Sequence, residues 1–404
     1  MIRFRSVNVR SYSSLRKLAT SSLVAVDSAK CFQQSLSDNS TLAKLAKAYK
    51  TGKFGVAASN TEMFDDLNSD RSLPLVRFPK LQVFEEVQND PKVGDWRKPA
   101  TKWFRLGKKL LKMYLNGIKD TWRVFYDSRK VLQKIGNSQS IITLTYRDLE
   151  FQEIQNRIKP GSPVRLAITR RELQEIYRRQ ELWKLPAFFV LLLIFEETLP
   201  VICFLVPSLV PWNCLTPGAY KKLSERRIVS QSLLPFYQLP TSSPSYTPPY
   251  ALELSHTTDL LKRFKMLSKT KAYLYSWSEN RTRLGELLAQ FHQYLVLDDW
   301  LLLQSILNTD QKTILSEKEL VNAILDRQLY RPGEDLNYLT SNEIGRKMLI
   351  WRLIVYWSFR FQGTAVTGGS KTFSELWGVN NIGVLNCPGT QQLIDESILS
   401  VIEG

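Results

Sequence analysis

The run from Leu185 to Val210, LPAFFVLLLIFEETLPVICFLVPSLV, constrains this chain more than any other feature. Nothing from Ala187 to Phe195 is polar, so the stretch must be covered by protein or by lipid. As one helix its 26 residues reach about 39 Å, enough to cross a hydrocarbon core of about 30 Å with tilt. Two features complicate a span. Glu196 and Glu197 sit in its middle, where each carboxylate costs roughly 2.5–3.5 kcal/mol on insertion scales. Pro186, Pro200 and Pro207 bring kinks and free carbonyls. The alternative is a buried hairpin in a soluble domain. Basic clusters on both sides favour lipid, and the sequence predicts a transmembrane segment over 185–211 whose carboxylates are protonated or face a cavity.

Those clusters belong to helices. Residues 97–134 hold twelve Lys or Arg and only two acids, Asp120 and Asp127. Leu111, Leu115, Ile118, Trp122 and Phe125 recur at helical spacing, which predicts a basic amphipathic helix. Its charged face, with Lys108, Lys109 and Lys112, suits an anionic membrane surface or RNA phosphates. The apolar stripe itself is ordinarily core. A second basic helix is predicted over Thr169–Trp183, with Thr169 as cap and Glu172 completing a capping box. Arg170, Arg171, Arg178, Arg179 and Lys184 then carry positive charge up to the apolar run, and Lys221, Lys222, Arg226 and Arg227 lie beyond it. Positive charge on both flanks leaves orientation undecided. The formal net charge of +17 fits anionic partners, although basic composition is also common among mitochondrial matrix proteins.

The first 26 residues carry Arg3, Arg5, Arg10, Arg16 and Lys17, many serines, and no acid before Asp27. An Arg-rich, Ser-rich, acid-poor leader is the composition of a mitochondrial transit peptide. Residues 27–95 read as poorly ordered apart from a short helix at Thr41–Lys50, and 96–184 as the basic amphipathic helices. Behind the span, 212–362 reads as a helical domain interrupted by a Pro/Ser-rich linker at 239–249. Helical patterns appear at Ala251–Leu267, Thr282–Leu295 and Trp300–Leu307. Another starts at Ser316 and runs to about Leu329, and the last reaches Phe361. Residues 363–404 read as a loose tail. The expected fold is mostly α, a single transmembrane helix followed by an all-helical domain.

Cys31, Cys203, Cys214 and Cys387 form no CxxC pair, and His256 and His292 do not share ligand spacing. No phosphate-binding, nucleophile-elbow, zinc-protease or dinucleotide-binding signature occurs, nor a calcium loop. The expectation is a protein that is not an enzyme and holds no cofactor or metal.

Three stretches carry a resemblance to the leucine-zipper and EF-hand transmembrane (LETM) family of the mitochondrial inner membrane. KLLKMYLNGIKDTW (109–122) looks like that family's helix before the membrane. The Thr-Arg-Arg-Glu helix and its apolar continuation (166–211) resemble its span. There Pro200, Pro207 and Pro211 keep the proline rhythm, and the mid-membrane glutamate falls at Glu196 or Glu197. Residues 297–357 are similar to the domain after the span. The calcium loops and long coiled coil of larger members are missing, so calcium sensing is not implied. The resemblance implies a matrix-facing, ribosome-binding-like domain and roles in mitochondrial translation or cation/proton balance.

Three functions compete on these grounds. The first is a membrane-tethered receptor for the mitochondrial ribosome that supports translation or membrane insertion. It uses Lys108, Lys109, Lys112, Arg170, Arg171, Arg178 and Arg179 on ribosome or anionic lipid. The second is potassium/proton exchange through Glu196 and Glu197, which requires a homo-oligomer or a partner because one helix forms no pathway. The third is a structural factor with no site of its own.

Overall fold

The computed structural model describes residues 37–57, 66–135, 141–159, 164–195, 202–203, 205–227, 254–264, 266–278, 280–308, 312–361, 394 and 397–398. Helices α1 (Ser40–Lys50), α2 (Lys80–Gln88), α3 (Lys98–Ile135), α4 (Ile141–Ile158), α5 (Arg170–Arg178) and α6 (Leu185–Ile194) make the first half. The second half holds helices α7 (Pro217–Arg227), α8 (Leu254–Arg263), α9 (Lys269–Trp277), α10 (Arg281–Asn308), α11 (Glu317–Asp326), α12 (Leu336–Ser341) and α13 (Glu343–Phe361). The described part is mostly helical, as expected, but it also contains two short strands. β1 (Phe54–Ala57) pairs in parallel with β2 (Thr313–Ser316), Phe54 opposite Thr313 and Ala57 opposite Ser316.

The core is built around α10, a 28-residue helix where the sequence pattern predicts two shorter ones. Residues 296–299, between those two patterns, are Val, Leu, Asp and Asp, and all four are buried. The two acids break the apolar periodicity without breaking the helix, because partners from other elements satisfy them. α10 packs against α1, α4, α5 and α8, while α13 packs against α1 and α12.

Residues 66–95, expected to be poorly ordered, are tied into this core. Asn68 hydrogen-bonds along the edge of β2, its amide donating to Ile314 O (3.0 Å) and its carbonyl accepting from Ser316 N (3.0 Å). Ser316 then caps α11 by accepting from Glu319 N (3.1 Å). α1 begins at Asn39, whose carbonyl accepts from Leu42 N (2.9 Å) and whose amide donates to Ser358 O of α13 (3.1 Å).

The long basic helix forms as predicted, but its buried stripe is shifted. Leu106, Tyr114, Gly117, Thr121, Val124, Ser128 and Leu132 face the core, whereas Leu115 and Trp122, assigned to the apolar stripe, are exposed. The reason is a close approach: α3 lies on the turn Trp212–Cys214, and a Cβ at Gly117 would clash with Cys214 Sγ. A glycine, threonine and serine line the buried face so that the neighbouring turn fits.

The predicted transmembrane helix over 185–211 is not seen among the described residues. α6 is 10 residues long, about 15 Å, which is half a hydrocarbon core. Among the described residues no helix is long and apolar enough to cross a membrane. Phe195 leaves the helix, and the chain returns through the short 3-10 turns Pro207–Leu209 and Trp212–Cys214. Glu196 and Glu197 lie outside the described residues, as do the leader 1–26, the linker 239–249 and most of 363–404. From that last region Ile394 is buried, and its carbonyl accepts from Trp351 Nε1 (3.1 Å).

Candidate functional site: a cationic cleft beside an exposed apolar face

α5 opens with the predicted capping box, Thr169 and Glu172 exchanging side-chain and backbone hydrogen bonds. The rest of the helix departs from expectation, because two of its arginines point into the protein. Arg170, 2% exposed, bridges Asp298 (2.8 Å) and Glu319 (2.9 Å) and donates to Leu67 O (2.7 Å). Arg327 pairs with Asp298 (2.6 Å) and Asp299 (2.7 Å). Asp299 also accepts from Trp357 Nε1 (2.7 Å) and Tyr356 OH (3.1 Å), with Arg360 at 3.8 Å. Three carboxylates thus meet three guanidiniums, so charge is balanced where solvent is absent. Burial opposes the charge of Asp298, but Arg170 and Arg327 outweigh it and hold its carboxyl below its ordinary value.

Arg178, at the other end of α5, is buried as well. It donates to Asn322 Oδ1 (3.0 Å), pairs with Asp326 (3.4 Å), and stacks on Trp212. Arg171 is half-buried against Glu175 (3.2 Å). Arg170 is therefore an internal ion-pair partner rather than part of an outward face for ribosome or lipid, and Arg178 is a buried partner that reaches only the lining of a cleft. Arg179 starts the 3-10 turn Arg179–Lys184 and lines an open cleft. Of the α3 candidates, Lys108 and Lys112 are exposed, and Lys109 approaches Glu86 (3.4 Å).

That cleft, about 750 Å³, lies between the end of α5, the turn before α6, and the Pro207–Trp212 return. Its cations are Arg178, Arg179, Lys184 and Arg227. Its polar floor is Trp212, whose ring carries the guanidiniums of both Arg178 and Arg227 at 4.5 Å. Ile141, Ile142, Ile176, Phe264, Met266 and Leu287 form an apolar wall. Tyr177 stacks on Tyr294 with ring centres 3.9 Å apart, and burial raises its hydroxyl to about 12, so it stays neutral. Arg227 and Trp212 carry no signal as a pair in the sequence, since they stand 15 positions apart across loop and helix.

Beside the cleft an apolar face reaches the surface. α6 buries Leu185, Phe188 and Leu192, and Phe188 meets Tyr114 of α3 edge-on, ring centres 5.7 Å apart. Its other sides have no cover among the described residues: Leu193 is 65% and Ile194 66% exposed, with Phe189, Val190, Leu205, Val206 and Leu209 also exposed. Trp183, 82% exposed, stands at the rim next to Lys184.

These features define a mostly helical protein that carries a cation-lined cleft beside an apolar face left uncovered among the described residues. Residues 67–307 match a family described as the pentamidine resistance factor domain. The chain is also 42% identical over 341 residues to "Pentamidine resistance factor, mitochondrial" of Saccharomyces cerevisiae, covering 79% of this chain and 81% of that protein. The chain belongs to the pentamidine resistance factor family. No solved structure matches.

This replaces the resemblance to the LETM family. The first two stretches that carried it, 109–122 and 166–211, fall wholly within the matched region, and the third overlaps its end. An arginine-rich capped helix running into a proline-bearing apolar stretch is a local pattern, too short to fix a family. The relative is mitochondrial by its name, in agreement with the leader, and this chain is a mitochondrial protein of the same family.

Proposed function

We propose that this is a non-enzymatic binding protein that docks on the anionic face of the mitochondrial inner membrane without spanning it. The observation that carries this reading is the uncovered apolar face of α6 and the 205–209 return. Exposed apolar side chains gathered in this way mark a membrane or protein contact. Its surroundings favour lipid, because Trp183 at its edge has the position of an interfacial anchor and Lys184 and Arg179 supply positive charge beside it. The matrix side is the side to which an arginine-rich leader directs a protein.

The test is flotation of the purified full-length protein with vesicles. Binding to phosphatidylcholine vesicles containing phosphatidylglycerol, weakened by salt and lost in a Phe189→Ser/Leu193→Ser variant, is expected. Binding that is indifferent to that variant would rule out the apolar face as the docking surface.

A second reading rests on a separate observation. Lys108, Lys112, Lys119 and Arg123 stand exposed along α3, and such a row suits rRNA phosphates of the mitochondrial ribosome. Sedimentation of solubilised mitochondria at low and high salt tests it: salt-sensitive co-migration with ribosomal markers is expected, and absence at low salt would sink it. Cation/proton exchange rested on Glu196 and Glu197 inside a span. Both residues lie outside the described ones and no described helix spans, so no observation supports that role or the homo-oligomer it required.

A further inference from the structure

The floor of the cleft holds more positive charge than the fold satisfies. Among the described residues, Arg178 and Arg227 turn to a single carboxylate, Asp326, at 3.4 and 3.9 Å. Arg178 also has Asn322. Arg227 is 5% exposed, yet among the described residues its Nε has no acceptor, and the same holds for Nε1 of Trp212, 3% exposed. Both side chains line the cleft. Buried donors without acceptors are rare in folded chains, and two in one cleft point to an acceptor supplied from outside.

The surrounding charges favour an anion. At the rim stand Arg179 and Lys184, and the carboxylate there, Glu181, is already engaged. Its Oε2 accepts from Lys184 Nζ (2.6 Å) and from Trp212 N (2.9 Å). Burial, resisted by Asp326 and reinforced by Arg178, pulls the Arg227 guanidinium below its ordinary value. The charged groups facing the floor are thus Arg178, Arg179, Lys184 and Arg227 against Glu181 and Asp326. The opposite wall is apolar at Ile142, Phe264 and Leu287, and its polar residues, Thr143 and Gln290, carry no charge. A volume of about 750 Å³ falls within the range of small-molecule sites.

We propose that this cleft binds one anionic phospholipid, its phosphate on Arg227 Nε and Trp212 Nε1 and an acyl chain along the Ile142–Phe264–Leu287 wall. The membrane-docking reading supplies the source of this ligand, and continuity supports it. Trp183, Lys184 and Pro207 belong both to the cleft lining and to the edge of the apolar face, so a lipid enters from the docked surface by a short path. Zwitterionic lipid leaves the excess charge unmatched, and free phosphate leaves the apolar wall wet.

The test uses full-length protein without vesicles, titrated with dihexanoyl phosphatidylglycerol below its micelle concentration and read by native mass spectrometry and calorimetry. One lipid per chain is expected, with dihexanoyl phosphatidylcholine and inorganic phosphate binding far more weakly. Arg227→Gln weakens binding at least about tenfold, the scale of a lost charge-assisted hydrogen bond. Gln290→Glu places a negative charge at the exposed mouth and weakens binding without touching the core. Phosphate binding as tightly as the lipid would overturn the lipid assignment, phosphatidylcholine binding equally would overturn the role of charge, and no binding would overturn the site. Phe189→Ser/Leu193→Ser separates the two readings, because it removes vesicle docking while leaving short-chain lipid binding intact.

Discussion

The two ends of α5, a nine-residue helix, meet opposite surroundings. At Arg170 the guanidinium enters a dry network in which carboxylates and arginines match one for one. At Arg178 two guanidiniums share one carboxylate, and the site opens toward an uncovered apolar surface. A buried network whose charges cancel has no net charge to offer a ligand, so its worth lies in holding α5, α10, α11 and α13 together. An incomplete one beside an apolar face retains binding capacity. Cation density alone therefore does not mark a contact surface; the balance of charge and acceptors at each cation does.

The sharpest way to break this contrast is to remove charge from the balanced end. Asp299→Ala takes one of its two carboxylates from Arg327 and removes the carboxylate acceptor of Trp357 and Tyr356, and breaking a buried pair this way costs about 3–5 kcal/mol. Urea denaturation reads it, and a loss under about 1 kcal/mol, the scale of an exposed pair, would mean the network does not hold the core.

Gly117→Ala acts at the contact between α3 and the Trp212 turn, where the new methyl meets Cys214 Sγ. Overpacking there is expected to cost about 1–3 kcal/mol, and because Trp212 forms the cleft floor, lipid binding should fall with it. An unchanged melting temperature would show that the turn moves freely.

Acid probes the balanced side more gently. His292 is buried, and burial, then Arg360, lowers its pKa from 6.5 to about 3. The unfolded chain takes up this proton below pH 6.5 while the folded chain does not, so stability is full above that pH and is lost progressively as pH falls toward 3. Between pH 6.5 and about pH 5 the loss is about 2 kcal/mol. Denaturation at both values checks it, and His292→Gln should flatten that part of the profile.

The smallest effect on stability belongs to the apolar face. Phe189→Ser/Leu193→Ser should change the unfolding free energy by no more than about 0.5 kcal/mol, as for other exposed sites. A large destabilisation would mean the face is covered by protein.

What was legible in the sequence was local. The Thr169–Glu172 capping box, the Ser316 cap, the short helix after Asn39 and the long helix over 98–135 all arise from contacts within four residues. The β1–β2 pairing joins four-residue strands far apart in the chain, too short for an alternating pattern to stand out. The apolar run was visible, but its fate was not. Hydropathy reports that ten residues avoid water, whereas the packing of Phe188 on Tyr114 and of the Cys214 turn on Gly117 depends on another helix. The same holds for the arginines of α5: their spacing gives a helix, and only partners more than a hundred residues away decide that Arg170 and Arg178 face inward. Arg227 and Trp212 carried no signal, because a missing acceptor is a property of packing.

The most direct measurement is hydrogen–deuterium exchange of the full-length protein with and without phosphatidylglycerol-containing vesicles. Docking through the apolar face predicts slowed exchange concentrated at 183–195 and 205–209, with the α5–α10–α11 network unchanged. Protection confined to α3, or none at all in protein that still floats with the vesicles, would contradict the claim that the apolar face is the docking surface.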